Sequence, residues 1–149
     1  MRYIDIGIID GTLWCDRNMG ADSVVGHGSY MSYDETDGMD IPTAADYTRL
    51  FMACDRKYVE NHGGTGVNGV LFTSRENGNE LFFPACGYEA NGKTYNFNVE
   101  GEYVTGTALG EGQVGDFYFN RNFMVHDDAV PVQFGHSVRL VKHKKQIGK

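Results

Sequence analysis

Proline and cysteine are scarce in this chain, three residues each in 149, and tryptophan occurs once. So little proline leaves no room for a Pro-rich, polyproline-type linker. The cysteines, Cys15, Cys54 and Cys86, neither pair off in number nor crowd together, which excludes a disulfide-stapled scaffold. Free, buried thiols in a reducing compartment are expected instead. No apolar run approaches the roughly 18 to 20 residues that cross a bilayer, and Met1-Arg2-Tyr3-Ile4-Asp5 has no signal-peptide core. Neither membrane insertion nor ordinary export is expected. Basic residues are the minority, 13 Lys and Arg against 20 Asp and Glu, for a net charge of -7. Nucleic acid is therefore not an expected partner, because a phosphate backbone is met by a basic patch. The one basic run, Lys142-His143-Lys144-Lys145, reads as part of a solvated tail over 143–149.

What the chain has in quantity is glycine, 20 residues, and aromatic side chains, 13% of the whole, which together point to tight turns between aromatic-packed strands. The length suits one domain, placed at residues 1–142. Alternating apolar residues predict a strand over 3–9 that ends at Asp10-Gly11, and a last strand over 137–141. Thr43, with Asp46 three residues on, is a helix start of the capping-box type. Tyr47, Leu50, Phe51 and Cys54 then fall on one face, predicting a core-packed helix over about 43–55. A hairpin is predicted from 69–73 and 80–83 around Glu76-Asn77-Gly78-Asn79, with further strands at 116–120 and 130–134. The fold class expected is α+β, with antiparallel strands and long loops.

Five segments occur in an order that resembles the Fibrobacter-type major paralogous domain and its relatives in gut Bacteroidota and their phages. They are Tyr3-Ile4-Asp5-Ile6-Gly7 with Gly11-Thr12-Leu13-Trp14 and Asn18-Met19-Gly20-Ala21; Ile41-Pro42-Thr43-Ala44-Ala45-Asp46; Gly66-Val67-Asn68-Gly69; Leu81-Phe82-Phe83-Pro84-Ala85-Cys86-Gly87-Tyr88; and Gly135-His136-Ser137-Val138-Arg139-Leu140-Val141-Lys142. The resemblance spans residues 3–142 and implies a C-type-lectin-like fold: paired N- and C-terminal strands, a flanking helix, and an excursion between Tyr88 and Phe134 that forms the exposed face. Tyr103-Val104-Thr105-Gly106-Thr107 departs from the family's aromatic-plus-hydroxyl pattern there. Trp14 reads as a core plug with its indole N–H satisfied. Gly87 and Gly135 read as turn or close-approach positions.

Chemistry-bearing clusters are few. The acidic stretch 34–40 lacks the ligand spacing of a calcium loop, since the twelfth position from Asp34 is Ala45. His126-Asp127-Asp128 has no second His or Cys at ligand spacing, and His27, His62, His136 and His143 stand singly. No metal, no cofactor and no catalytic residue is expected. The sequence has no Gly-x-Ser-x-Gly elbow, and its Gly63–Gly69 run comes after the helix rather than opening one. The reactive-cysteine arrangement of the related formylglycine-generating enzymes has no counterpart after Cys86.

The expectation is therefore a non-enzymatic binding or display module. Candidate ligand-binding residues are Tyr95, Asn96, Asn98, Tyr103, Tyr118, Asn120, Arg121, Asn122, His126, Asp127 and Asp128, where aromatic anchors alternate with adaptable polar groups. The partner expected is a protein or glycan on a host or neighbouring surface, with a homo-oligomer or virion subunits as the setting. The resemblance suggests a phage structural protein at the virion surface: a capsid fibre, decoration or adhesion component. Alternatives are a bacterial surface adhesin domain, or a cementing protein without a receptor.

Overall fold

A computed structural model describes residues 1–143. The architecture is α+β. Its strands are β1 (Tyr3–Ile4), β2 (Leu13–Cys15), β3 (Cys54–Val59), β4 (Gly69–Ser74), β5 (Glu80–Pro84), β6 (Tyr88–Ala90), β7 (Lys93–Tyr95), β8 (Gly101–Gly110), β9 (Gln113–Phe119), β10 (Met124–Pro131) and β11 (Val141–Lys142), and its helix is α1 (Ala44–Ala53). They form small antiparallel sheets in the orders β1-β2-β11, β3-β4-β5 and β8-β9-β10, with a β6-β7 hairpin.

The helix forms where its capping chemistry placed it. The Thr43 hydroxyl accepts from the Asp46 N–H at 3.1 Å, and the Asp46 carboxylate accepts from the Thr43 N–H at 2.9 Å, so two otherwise orphaned donors are met. Tyr47 and Leu50 then go wholly into the core. There Tyr47 meets Trp14 and Phe117, each at a ring-centroid distance of 5.1 Å. Phe72, Phe83, Tyr103 and Phe119 complete an aromatic centre whose edge-to-face and tilted contacts suit the ring quadrupoles.

The β8-β9-β10 sheet is covered on both sides. Tyr103, Phe117 and Phe119 point into the aromatic centre, while the alternate residues Val104 and Val114, with Val130, pack against Val138 in a second cluster. Two glycines permit close approaches. Gly87 has φ +64°, and a Cβ there would run into the Tyr95 carbonyl; one at Gly101 would enter the Phe119 ring.

Several expectations need correcting. The terminal strands share a sheet but are not neighbours, because β2 lies between them: Trp14 pairs with both Ile4 and Val141. The first strand covers only Tyr3–Ile4, the last only Val141–Lys142, and α1 ends at Ala53, with Cys54 already in β3. The stretch from Tyr88 to Phe134 is not mainly irregular; it holds the ten-residue strand β8 and its partners. No separate strand occupies 130–134, because β10 runs on to Pro131 and the chain then turns at Val132 and Gln133. Trp14 is a buried plug, but its indole N–H finds no acceptor among the described residues. Of the tail expected over 143–149, His143 is described and holds Asp46 at 3.0 Å; residues 144–149 lie outside the described residues. All three cysteines are buried and unpaired. Among the described residues, no helix is long and apolar enough to cross a membrane.

Candidate functional site

The candidate residues divide between a surface face and the interior. On the surface, the 95–100 segment leaves β7 with Asn96 and Asn98 both at positive φ, +57° and +64°, a conformation asparagine tolerates better than other side-chain-bearing residues. Asn98 is clamped: its N–H donates to the Ala85 carbonyl at 2.7 Å, its Oδ1 accepts from the Asn68 N–H at 2.8 Å, and its Nδ2 donates to the Gly66 carbonyl at 3.1 Å. Asn68 Nδ2 in turn donates to the Asn98 carbonyl at 3.0 Å. The kinked backbone turns Tyr95, Phe97 and Val99 outward, at 37%, 54% and 57% exposure.

At the end of this apolar ridge, Val99 joins Asn98, Glu100, Asn120, Arg121 and Asn122, with Tyr58 and Asn68, in lining a cleft of about 360 Å³, while Tyr95 stacks on Tyr88 and Phe97 stands edge-on to His27. Tyr118 donates to Glu100 at 2.8 Å and accepts from Asn120 Nδ2 at 3.2 Å. Asn120 Oδ1 accepts from the backbone N–H groups of Asn122 and Phe123, which fixes the turn after β9. Arg121 pairs with Glu60 at 2.7 Å, but both side chains are more than half exposed. Such a pair contributes little and leaves the guanidinium free to exchange partners.

The remaining candidates lie elsewhere. Tyr103, expected on the exposed face, is instead fully buried, its hydroxyl donating to the Pro84 carbonyl at 2.7 Å, so it cannot touch a surface ligand. His126 is half-buried and stands edge-on to Phe51, with ring centroids 4.7 Å apart. Asp127 is exposed. An irregularity in the β9-β10 register between Val125 and Asp128 sets Asp128 directly opposite Asp116.

That last pairing belongs to a cluster the sequence did not reveal. Glu102 on β8, Asp116 on β9 and His136 after β10 each bring one nitrogen or oxygen to within 4.8 Å of the others, and all three are buried. It is the one such grouping of acidic, His or Cys ligand atoms among the described residues, so the acidic stretch 34–40 forms none. Among the described residues, neither Asp116 oxygen meets a donor, and His136 Nδ1, 3.8 Å from Glu102 Oε1, is also without a hydrogen-bond partner. Burial first, then a shared hydrogen bond with Asp128 and the charges of Asp128, Glu102 and Glu100, push the Asp116 carboxyl up to about 10. Burial and then Glu100 likewise raise Glu102, and burial lowers His136.

The thiols are poorly placed for nucleophilic work, since burial pushes both Cys54 and Cys86 up to about 11 and keeps them protonated. The sequence missed Phe97 and Val99 because an apolar residue reads as core, and missed the acid cluster because its members are spread over 35 positions. One signal was present: Glu102 directly precedes Tyr103-Val104 and Asp116 directly precedes Phe117-Tyr118-Phe119, acids set against runs of large apolar and aromatic residues. Compared with models of protein families, with curated proteins and with solved structures, the chain has no significant match in any of the three.

Proposed function

We propose that the chain is a non-enzymatic recognition and display module, similar to the Fibrobacter-type major paralogous domain and of C-type-lectin-like fold, carried on the surface of a phage particle. The observation that supports recognition most is the 95–100 segment. Three large apolar side chains are held out to solvent by a backbone that Asn98 pins through hydrogen bonds to Gly66, Asn68 and Ala85. A soluble chain gains nothing from fixing apolar groups in water, and contiguous exposed apolar surface marks contact with a partner. Because the ridge is rigid, a partner would dock on it with little ordering cost. The occupant that fits is a protein surface, with an apolar patch over Tyr95, Phe97 and Val99 and polar groups reaching the Asn120–Asn122 rim of the cleft. The shared sheet of the terminal strands and the helix beside the core are compatible with the lectin-like architecture.

Gold-labelled antibody against the chain should decorate particles released by lysis of the culture that makes it. Those particles should yield a photo-crosslinked protein when a benzophenone residue replaces Phe97, and none when it replaces Lys57 on β3. Label confined to the soluble fraction contradicts display. Specific capture by a glycan array, unchanged in the Tyr95→Ala/Phe97→Ser/Val99→Ser variant, contradicts the protein occupant.

A further inference from the structure

We infer that Glu102, Asp116 and His136 form a closed site for one divalent transition-metal ion of the zinc class, a structural crosslink joining β8, β9 and the chain after β10. Independently of the surface reading, three observations carry it.

The first is the donor set. Two carboxylates and an imidazole are borderline-hard ligands that suit zinc, whereas calcium and magnesium favour all-oxygen sites of higher coordination number. Zinc–ligand bonds of about 2.0 to 2.2 Å put tetrahedral ligands about 3.4 Å apart. These three atoms, already within 4.8 Å of one another, need only a small inward movement.

The second is orientation. His136 Nε2 lies 3.3 Å from the Pro131 carbonyl, and if it donates there, Nδ1 is left as the bare lone pair on the Glu102 side. A backbone carbonyl on the far nitrogen is the usual outer support of a metal-bound imidazole. Asp128 stands across the β9-β10 ladder from Asp116 but outside the three-residue grouping, so its side chain would have to swing inward to supply a fourth ligand.

The third is the set of unpartnered buried polar atoms. Asp116 and His136 are 0% exposed, yet both Asp116 oxygens and His136 Nδ1 lack partners. No lysine or arginine pairs with the three residues among the described ones, while Glu100 and Asp128 add further negative charge. Buried polar atoms are nearly always satisfied, and a divalent cation would satisfy all of these at once. All three ligands are buried, which keeps a substrate from the ion and makes the site structural rather than catalytic.

Because the site is closed, metal must enter as the chain folds, so the test refolds the full chain from urea in EDTA or with Zn2+, Mn2+, Ca2+ or Mg2+. Zinc at a hundredfold excess over its Kd should raise the thermal midpoint by about 5 to 10 °C, calcium and magnesium should not, and a native mass spectrum should find one zinc per chain. Asp116→Asn and His136→Gln should each fold and lose that rise. A wild-type chain that folds normally with no bound zinc overturns the inference. So does a zinc-dependent rise that survives in both variants, since this would place the ion on surface groups. If a variant does not fold, the wild-type zinc stoichiometry decides alone.

Discussion

Arg139 and Asp116 are both fully buried ionisable groups, and the protein treats them in opposite ways. Arg139 is well met, with four of its five N–H groups bonded. Its Nε and Nη2 donate to Asn18 Oδ1 at 3.1 and 2.8 Å, Nη1 to the Cys15 carbonyl at 3.2 Å and Nη2 also to the Phe82 carbonyl at 2.6 Å, while the guanidinium lies 4.2 Å over the Phe83 ring. One side chain thus ties β2, the loop after it and β5 to the segment that leads into β11. Asp116 receives no donor from another residue and is surrounded by acids. A buried charge is tolerable only when met. Arg139 is answered by the fold itself, whereas Asp116 is answered by a proton or by something from outside.

The contrast can be broken at its satisfied end first. Arg139→Met leaves Asn18 Oδ1 and the Cys15 and Phe82 carbonyls without these donors, and should cost about 3 to 5 kcal/mol in urea unfolding; a loss below about 1 kcal/mol would mean that water replaces the guanidinium. Asn18→Ala removes the acceptor of two Arg139 bonds and the donor to the Tyr103 hydroxyl and the His27 carbonyl, and should cost about 1 to 3 kcal/mol. At the unsatisfied end, Asp116→Asn replaces a carboxyl that is already protonated, and in EDTA should change stability by less than about 1 kcal/mol. Phe97→Ser should leave stability within about 0.5 kcal/mol and remove only partner capture, read as loss of the partner when the particles are solubilised and the chain is pulled down.

The smallest effect is at Asp16, where a hydrogen bond from Arg17 holds the carboxyl down to about 2. A depressed folded-state value adds stability that is present above the usual carboxylate range and is lost as the pH falls towards 2. Asp16→Asn should therefore lower the neutral plateau slightly and flatten the acid limb of a pH–stability curve, with wild type and variant converging as the pH falls towards 2. Partial exposure to solvent keeps this contribution small.

Local chemistry was legible in the sequence wherever neighbours in the chain act on each other. The capping pair Thr43 and Asp46 gave α1, and the turn residues at 76–79 gave the β4-β5 hairpin. What depends on register was not legible. Glu102 and Asp116 meet because β8 and β9 pair Val104 with Asp116, and His136 joins them through a crossing far along the chain. Of the surface candidates, Asn98, Asn120, Arg121 and Asn122 come together along one cleft. Tyr103 was misplaced because its strand, β8, was not anticipated: alternation within 101–105 sends Tyr103 inward, and with glycine at 101 and 106 the segment resembled a loop.

The most direct test of the contrast is an anomalous-difference map, collected across the zinc absorption edge from crystals of protein refolded with Zn2+. A single strong peak about 2.0 to 2.2 Å from Asp116, Glu102 and His136 Nδ1 is the expected result. An interior without a peak, in a chain that keeps the same sheets and aromatic core, would contradict the account and leave Asp116 as a buried acid that holds only its own proton.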